Sequence, residues 1–358
     1  MIKVGISHGD INGIGYEVIL KTFETEEMLE ICTPIIYGSP KVATFHRKAI
    51  DNQTNFIVRE SIEEVKDKSV NMINCFGEEE IKISFGNATA DKDSVARRAL
   101  DSVIKDIKNG NIDVLITAPC TFTTGEETTQ TEYIRKQTET EVAPLTLLLA
   151  EGIRIASATE SLPIDKVAGT ITNEVLTDRL QILIKTLQRD FGIERPRIAV
   201  LSLNPKNGEG EFSETEELEI IEPTVKEMFD GGKLCFGPYS ADYIFSNNNY
   251  THFDAILAMY HDQATAPFNA LTNGDGTHYL AGLPIVVTAP AHDASYDIAG
   301  KGIASESAMR HAVYTAIDVL RNRRKHDEMY ANPLRKQYYD KRDDSDKLKL
   351  DQVTEETY

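Results

Sequence analysis

Residues 260–263, Tyr-His-Asp-Gln, end the apolar run 253–259 and place an imidazole and a carboxylate at the end of a predicted strand. Open α/β sheets bind ligands beyond the carboxyl ends of their strands, so His261 is a candidate metal or ligand contact. A buried strand needs only apolar side chains, and packing alone does not explain this tetrad. The alternative is a turn in which His261 and Asp262 are satisfied by hydrogen bonds and Tyr260 packs its ring nearby.

A glycine-rich turn follows the first predicted strand. Gly9, Gly13 and Gly15 permit a tight turn, and a helix beginning at about Tyr16 would leave its first N–H groups free for an anion. The spacing G-x-x-x-G-x-G is not the G-x-G-x-x-G fingerprint of dinucleotide-binding folds. The turn therefore indicates either an anion contact or a plain strand-to-helix connection, and NAD would have to bind in another manner.

Three more predicted strands have polar ends. Residues 118–121 open a threonine-rich loop whose hydroxyl and amide groups could hold a phosphate or carboxylate, and a solvated loop that caps the next helix is the simpler alternative. Lys206 follows another strand and could meet an anion or be solvated. His292 and Asp293 close the last strand. Because four strands end in polar residues, we expect a shared cleft.

Composition limits the class of protein. The chain has 358 residues, 41% hydrophobic and 27% charged, which is enough for about two domains. A formal net charge of −19 without a basic stripe argues against nucleic acid and anionic membranes as partners. No apolar run is long enough to cross a membrane and no signal-peptide pattern opens the chain, so we expect a cytoplasmic protein. The four cysteines form no Cys-x-x-Cys pair and predict neither a zinc knuckle nor disulfides.

Strand-like apolar runs alternate with helical periodicity, which predicts an α/β fold built from parallel β-α-β units. The helix predicted over residues 93–108 buries one face, and a second helix follows a predicted cap at Asn173. Ser213 and Glu216 form a capping box before a third helix that Pro223 kinks or restarts. The predicted strands cover residues 4–7, 33–37, 114–117, 167–171, 198–203, 255–259 and 285–288.

The domain organisation is predicted to be discontinuous. Residues 1–133 together with 283–324 should form a first α/β domain, and residues 134–282 a second, so that the chain leaves the first domain and returns to it. Residues 325–358 are dense in charged side chains with little apolar periodicity. We therefore predict that they form a peripheral helix or a tail.

Seven different short motifs are distributed along most of the chain. The motifs are Gly9-Asp10-x-x-Gly13-Ile14-Gly15, Thr131-Glu132-Tyr133, Leu203-Asn204-Pro205, Gly237-Pro238-x-x-Ala241-Asp242, Ala258-Met259-Tyr260-His261-Asp262-Gln263, Gly282-Leu283-Pro284 and Asp297-Ile298-Ala299-Gly300-x-Gly302. In order and spacing they resemble the 4-hydroxythreonine-4-phosphate dehydrogenase family of pyridoxal phosphate biosynthesis. The resemblance covers roughly residues 1–322, and the joint occurrence of the motifs is far more specific than any one of them.

The resemblance has implications for fold and activity. It implies a homodimer whose subunits have two α/β/α domains with mixed, mostly parallel sheets, like isocitrate and isopropylmalate dehydrogenases. The active site would lie between the domains and near the dimer contact. The implied reaction is the NAD-dependent oxidation of 4-phosphohydroxy-L-threonine, followed by decarboxylation to 3-amino-2-oxopropyl phosphate. A divalent metal would polarise the reacting oxygen.

The metal-binding positions of the family are altered in this sequence. The family uses three histidines, and only His261 is retained, while Ser161 and Lys206 occupy the other two positions. A protonated lysine has no lone pair and a neutral serine is a poor ligand, so we expect a lost or weak metal site. The resemblance also makes Asp242 a candidate catalytic residue that lines the cleft. Lys206 is a second candidate catalytic residue, as a fixed positive charge beside the reacting oxygen.

The substrate-binding positions are altered as well. Thr131 is retained and is the predicted anion contact. Gln130 replaces a histidine, Asn269 a lysine and His278 an asparagine of the family. Val287 and Phe122 replace an arginine and a lysine. With three cationic positions now neutral, an anionic substrate would lose charge-assisted hydrogen bonds worth roughly 1.5–3 kcal/mol each.

Three interpretations therefore remain open. The chain is an enzyme of this family, acting on the phosphorylated substrate of the family or on a changed substrate or related anion. Alternatively, it is a diverged paralogue without catalytic activity that binds a small ligand or a partner subunit. A third possibility is a heterodimer with an intact family member, because the family's active site lies near the dimer contact.

Overall fold

One mixed sheet organises the chain. The structure is a computed structural model, and it describes residues 1–77, 81–89, 91–122, 129–208 and 216–331. The described residues contain twelve strands in the order β3-β4-β2-β1-β5-β12-β11-β6-β7-β10-β8-β9. The strands are β1 (Lys3–Ser7), β2 (Thr33–Gly38), β3 (Phe56–Arg59), β4 (Val70–Asn74), β5 (Val114–Thr117), β6 (Leu145–Ala150), β7 (Ile153–Ser157), β8 (Ile198–Leu201), β9 (Cys235–Tyr239), β10 (Ala255–Ala258), β11 (Thr277–Ala281) and β12 (Val287–Pro290).

The sheet is mostly parallel, as expected. Strand β11 is antiparallel to both of its neighbours, β12 and β6, and β6 is also antiparallel to β7, whereas the other pairs are parallel. The strands of the predicted first domain, 1–133 with 283–324, fill one half of the sheet, and those of 134–282 fill the other. The division into two domains stays a prediction, and β12 and β11 join the two halves.

Helices cover both faces of the sheet. None of the helices in the described part of the chain is both long and apolar enough to span a bilayer. The helices are α1 (Gly15–Thr22), α2 (Glu26–Ile31), α3 (Pro40–Ala49), α4 (Lys92–Lys108), α5 (Gln130–Gln137), α6 (Ile164–Thr170), α7 (Asn173–Arg189), α8 (Glu222–Asp230), α9 (Ala241–Phe245), α10 (His261–Thr272) and α11 (Ser307–Ala331).

Helical periodicity fixes which face of each long helix is buried. Helix α4 buries Val95, Ala99 and Val103, as its four-residue spacing predicts. Helix α7 buries Leu176 and Leu180, with Leu183 and Leu187 continuing the same stripe. Each such side chain contributes about 1.5–3 kcal/mol on burial, so these stripes hold the helices against the sheet.

Two local predictions were wrong. Residues 167–171 were predicted as a strand, but they lie at the end of α6. A short apolar run has no periodicity that separates a buried strand from a buried helix, and here Val167 is buried within α6 and Ile171 is buried as the residue that follows it. Thr172, and not Asn173, caps α7, since its side chain accepts a hydrogen bond from the Val175 N–H.

Two further predictions concern chain segments. Helix α11 continues to Ala331, so the first residues of the charged segment predicted from residue 325 are helical, and the prediction for the rest of that segment lies outside the described residues. Ser213 of the predicted capping box lies outside the described residues. Beyond it, a π-helical turn, Glu217–Ile221, leads into α8, with Pro223 in the first turn of that helix. Proline is tolerated there because the first helical N–H groups have no intrahelical acceptor.

Strand alternation separates the two faces of the sheet. Tyr279 and Leu147 point toward α7 and α11 and belong to the main apolar core. Leu280 joins a second cluster beneath α4 and α5, and Leu148 joins a third beneath α10. His278 alternates with Tyr279 and therefore lies on the second face, between these two clusters. This gap between clusters is where the candidate site lies.

Candidate functional site

A cavity of about 240 Å³ lies over β12, β11 and β6, where the two halves of the sheet meet. Its walls are the loop after β5, the first turn of α5 and the segment after β12. Gln130, Thr131 and His278, three of the four predicted substrate-binding residues, line this one cavity. Val287 lies on its floor, where the resemblance puts an arginine of the family.

The first turn of α5 contributes polar groups to the cavity. Thr129 caps the helix, because its hydroxyl accepts a hydrogen bond from the Glu132 N–H at 3.1 Å. Gln130 donates from Nε2 to the carbonyl oxygen of Ala118 at 3.3 Å, which ties the helix start to the loop after β5. Thr131 is half-buried and lines the cavity. The described ends of the threonine-rich loop, residues 118–121 and Thr129, therefore line the cavity.

His278 is neutral in the folded protein near neutral pH. Its pKa is lowered to about 4, mainly by burial and to a smaller extent by the nearby imidazoles of His261 and His292, while Asp293 acts in the opposite direction. A pKa this far below the ordinary value means that the ring is uncharged above about pH 5. His278 can donate or accept a hydrogen bond but supplies no positive charge to a bound anion.

His292 is a cavity residue that the sequence indicated only as a polar strand end. Its Nδ1 lies 3.0 Å from the backbone oxygen of Asp293. Its Nε2 is buried and has no hydrogen-bond partner among the described residues. A buried polar atom without a partner costs free energy, so a ligand that reaches Nε2 would recover a hydrogen bond.

A buried charged network supports the loop after β5. The ammonium group of Lys92 donates to Asp93 Oδ1 at 2.8 Å and to the carbonyl oxygen of Thr121. It also lies 3.9 Å from Asp10 Oδ2, which accepts a hydrogen bond from the Tyr296 hydroxyl. Lys92 and Asp10 are at most 3% exposed. No sequence pattern indicated Lys92 as a buried residue, because it occupies the first turn of an amphipathic helix.

The glycine-rich turn is closely packed against the same loop. Gly9 has a φ of +70°, and a Cβ there would lie 2.5 Å from the carbonyl oxygen of Pro119. The Asp10 N–H donates to that same oxygen at 2.9 Å. Glycine is required at position 9 both for this backbone conformation and for this close approach. In the described structure this turn therefore supports the wall of the cavity.

His261 lies at the start of α10, outside this cavity. It is exposed, and its Nδ1 is 2.8 Å from Asp262 Oδ1. Its Nε2 lies 3.4 Å from the hydroxyl of Thr265. His261 and Ser161 line a second cavity of about 370 Å³. Two of the three metal positions implied by the resemblance therefore share one cavity.

Lys206 and Asp242 lie on the other side of residues 260–263. Asp242 lines a third cavity of about 550 Å³, which shares Tyr260 and Asp262 with the second cavity. Lys206 is exposed and has a left-handed backbone with φ of 55°. Such a conformation is uncommon for a residue other than glycine. The adjoining residue Pro205 lines the third cavity, but Lys206 lines none of the three described here.

The residues present do not fit a divalent metal. Within the described ranges no group of three or more His, Cys, Asp or Glu side chains is placed to hold a metal ion. Ser161 and Lys206 add a neutral hydroxyl and an ammonium, neither of which replaces an imidazole. Asn269, the fourth predicted substrate contact, is exposed on α10 and lines none of the three cavities described here.

Fold and site together define the class of protein. A mixed sheet with a cleft between its halves is the architecture of the isocitrate dehydrogenase-like folds. Isocitrate dehydrogenase from Methylococcus capsulatus matches with a TM-score of 0.51 at 14% identity, over 92% of this chain and 89% of that one. At this identity the likeness shows the fold alone.

Sequence comparison identifies the family within that class. Residues 30–316 match the model of the pyridoxal phosphate biosynthetic protein PdxA, and the chain belongs to this family. It is 51% identical to a 4-hydroxythreonine-4-phosphate dehydrogenase of Bacteroides thetaiotaomicron, over 99% of each chain. The crystal structure of a 4-hydroxythreonine-4-phosphate dehydrogenase from Burkholderia phymatum matches with a TM-score of 0.71 at 26% identity, over 89% of this chain and 98% of that one.

Proposed function

We propose that this chain is an NAD-dependent dehydrogenase that oxidises 4-phosphohydroxy-L-threonine, with decarboxylation to 3-amino-2-oxopropyl phosphate. The observation that carries the proposal is the 51% identity to the Bacteroides thetaiotaomicron dehydrogenase over essentially the whole of both chains. The cavity that brings together Gln130, Thr131 and His278 supports it, because these are predicted substrate positions on two elements, α5 and β11, that are far apart in sequence.

The residues of the cavity indicate how a substrate would be held. Thr131 and Gln130 offer a hydroxyl and an amide to an anionic group at the start of α5. No Lys or Arg occurs among the described residues that line this cavity, so these contacts come from neutral donors. His292 Nε2 and the uncharged ring of His278 can each accept a hydrogen bond or a proton.

The oxidation needs two acceptors. The alcohol carbon gives a hydride to NAD, the second substrate, and the hydroxyl gives its proton to a base. We assign the base to His278, whose lowered pKa keeps it unprotonated near neutral pH, or to His292, whose buried Nε2 has no hydrogen-bond partner among the described residues. No step is assigned to a divalent metal, because the described side chains do not form a site for one.

The test of this function is NADH formation by the purified chain supplied with 4-phosphohydroxy-L-threonine and NAD. We expect turnover with release of carbon dioxide, and the same rate with or without a metal chelator. The Bacteroides thetaiotaomicron relative provides the positive control. Absence of NADH beside a working control would reject the proposed activity.

Thr131→Val should weaken substrate use while leaving the fold intact. Valine has nearly the shape of threonine but cannot donate to an anion, and a hydrogen bond to a charged group contributes about 1.5–3 kcal/mol. We expect the KM for 4-phosphohydroxy-L-threonine to rise roughly tenfold to a hundredfold. Thr251→Val, at a position that lines none of the three cavities, is the matched control. Equal KM values for the two variants would remove Thr131 from the site.

One observation favours a second candidate function. Ser161 and Lys206 stand where the resemblance places metal-binding histidines, and the described residues form no metal group. A paralogue that binds the ligand without turnover would not need the two metal-binding histidines that Ser161 and Lys206 replace. Calorimetric binding of 4-phosphohydroxy-L-threonine without NADH formation would support it, whereas turnover would exclude it.

We also propose that the chain is a homodimer that works in the cytoplasm. The proposal rests on membership of the family, for which the resemblance implies a dimer with active sites near the contact. Light scattering of the purified chain should give twice the mass of one chain, 39.9 kDa. A second, intact family member that co-purifies with this chain would favour a heterodimer instead.

A further inference from the structure

A separate cavity of about 630 Å³ lies at the end of the β6–β7 hairpin. Its walls are this hairpin, the ends of α7 and α10, the start of β11 and the side of α11. It shares no lining residue with the three cavities of the candidate site. Its volume is within the range of small-molecule sites, which is about 300–1,000 Å³.

The hydroxyl of Thr277, the first residue of β11, indicates that this cavity can make a hydrogen bond to a polar ligand. Its side chain is 1% exposed, and its hydroxyl has no hydrogen-bond partner in the described structure. Thr277 points to the same face of the sheet as Tyr279, opposite to His278, because side chains alternate along a strand. That face carries Phe191, which follows the end of α7 and packs against Tyr279, and Val319 of α11, and both line this cavity.

The charges around the cavity favour a cation. Glu151, Asp275, Asp318 and Asp190 line it; Asp190 is paired with Arg323 at 2.7 Å, and Asp318 forms an exposed, solvent-screened pair with Arg321 at 3.7 Å. Helices α7 and α10 also end at this cavity, and helix C-termini carry partial negative charge.

The positive groups in the wall already have partners. Arg154 is the one Lys or Arg among the described lining residues. Its guanidinium lies over the ring of Phe191 at 5.2 Å and donates to the carbonyl oxygen of Asp254 at 3.3 Å. His311 Nδ1 lies 3.1 Å from Asp275 Oδ1. The wall is thus left with an excess of negative charge.

Aromatic and apolar side chains surround these acids. Phe191, Tyr250 and Tyr314 line the cavity, and Leu271 and Tyr314 are exposed by 45% and 41%. An aromatic ring attracts a cation through its face, and exposed apolar side chains at a cavity wall favour a ligand with an apolar body. This combination suits an organic ammonium ion better than a hydrated inorganic cation.

We propose that this cavity binds an organic cation, with the ammonium groups near Glu151 and Asp318 and one polar contact to the hydroxyl of Thr277. The site is distinct from the candidate active site and does not depend on the proposed reaction. The probe is spermidine, which carries ammonium groups on a flexible aliphatic chain. Triacetylspermidine has the same chain without the charges.

The experiment is isothermal titration calorimetry of the full chain in buffer of physiological ionic strength. We expect one spermidine per chain and no binding of triacetylspermidine. Glu151→Gln with Asp318→Asn should weaken spermidine binding roughly tenfold or more, since each lost ion contact affects affinity directly. Thr277→Val should weaken it by about threefold to tenfold, through the loss of one hydrogen bond.

A matched control is needed because a chain with a net charge of −19 attracts any polycation. Glu227→Gln with Asp230→Asn removes the same charge from exposed positions on α8, away from this cavity. This control should bind spermidine as the unchanged chain does. Absence of binding, binding of the acetylated probe, or equal weakening by the two double variants would each overturn the proposal.

Discussion

Lys92→Met should lower the free energy of unfolding by about 3–5 kcal/mol, the cost of removing one partner from a buried ion pair. The ammonium of Lys92 is 2.8 Å from Asp93 and 3.9 Å from Asp10, and each of the three residues is at most 3% exposed. Methionine fills a similar volume but takes this positive charge away from two buried carboxylates. Urea unfolding followed by circular dichroism measures the loss.

Lys105→Met is the matched control for this variant. Lys105 lies on the exposed side of the same helix, so its replacement should change the free energy of unfolding by no more than about 0.5 kcal/mol. Lys92 also donates to the carbonyl oxygen of Thr121, so its loss should loosen the loop that lines the candidate site. If Lys92→Met and Lys105→Met were equally stable, the buried network would not hold this region together.

Arg323→Met should have an effect of similar size, again about 3–5 kcal/mol. The guanidinium donates to Asp190 at 2.7 Å and 3.2 Å and to the Tyr279 hydroxyl at 2.8 Å. All three side chains are buried, and they connect α11, the end of α7 and β11. The variant leaves Asp190 charged and buried without this partner, which is why we expect a large loss of stability.

Two comparisons make the Arg323 prediction specific. Arg321→Met removes an exposed arginine two residues earlier, which lies 3.7 Å from Asp318, and should cost less than about 1 kcal/mol. Arg323→Lys keeps the charge but not the paired donors and should be intermediate. A melting temperature for Arg323→Met that matches Arg321→Met would contradict the role given to this triad.

Long-range order was harder to predict than the class of fold. Strands such as β1 and β5 were predicted because each is an apolar run bounded by turn residues. The hairpin of β6 and β7 was not among the predicted strands. Its first strand, Leu-Thr-Leu-Leu-Leu-Ala, is rich in good helix formers and has no polar alternation, because both of its faces are covered.

Residues of the candidate site were also harder to predict where their position depends on contacts between distant parts of the chain. Gln130, Thr131 and His278, which the motifs predicted as substrate contacts, line one cavity, and their role in binding stays a prediction. Asn269 follows the buried Phe268 on α10, and neighbouring residues on a helix point in different directions. Lys92 was missed because a lysine in the first turn of a helix is usually solvated. Its burial depends on Asp10, which is distant in sequence.

The continuity of the sheet limits how the cleft can move. Strands β11 and β12 are paired directly at the floor of the candidate site, with His278 opposite Ala289. Enzymes that close a cleft around a hinge do so through a few loop or terminal residues that absorb the change in backbone angles. Here a rigid-body rotation of the halves would break or shear ladder hydrogen bonds at this floor. We therefore expect closure over a substrate to come from a change in the twist of the sheet and from movement of the cavity walls. The floor of the cavity would stay in place.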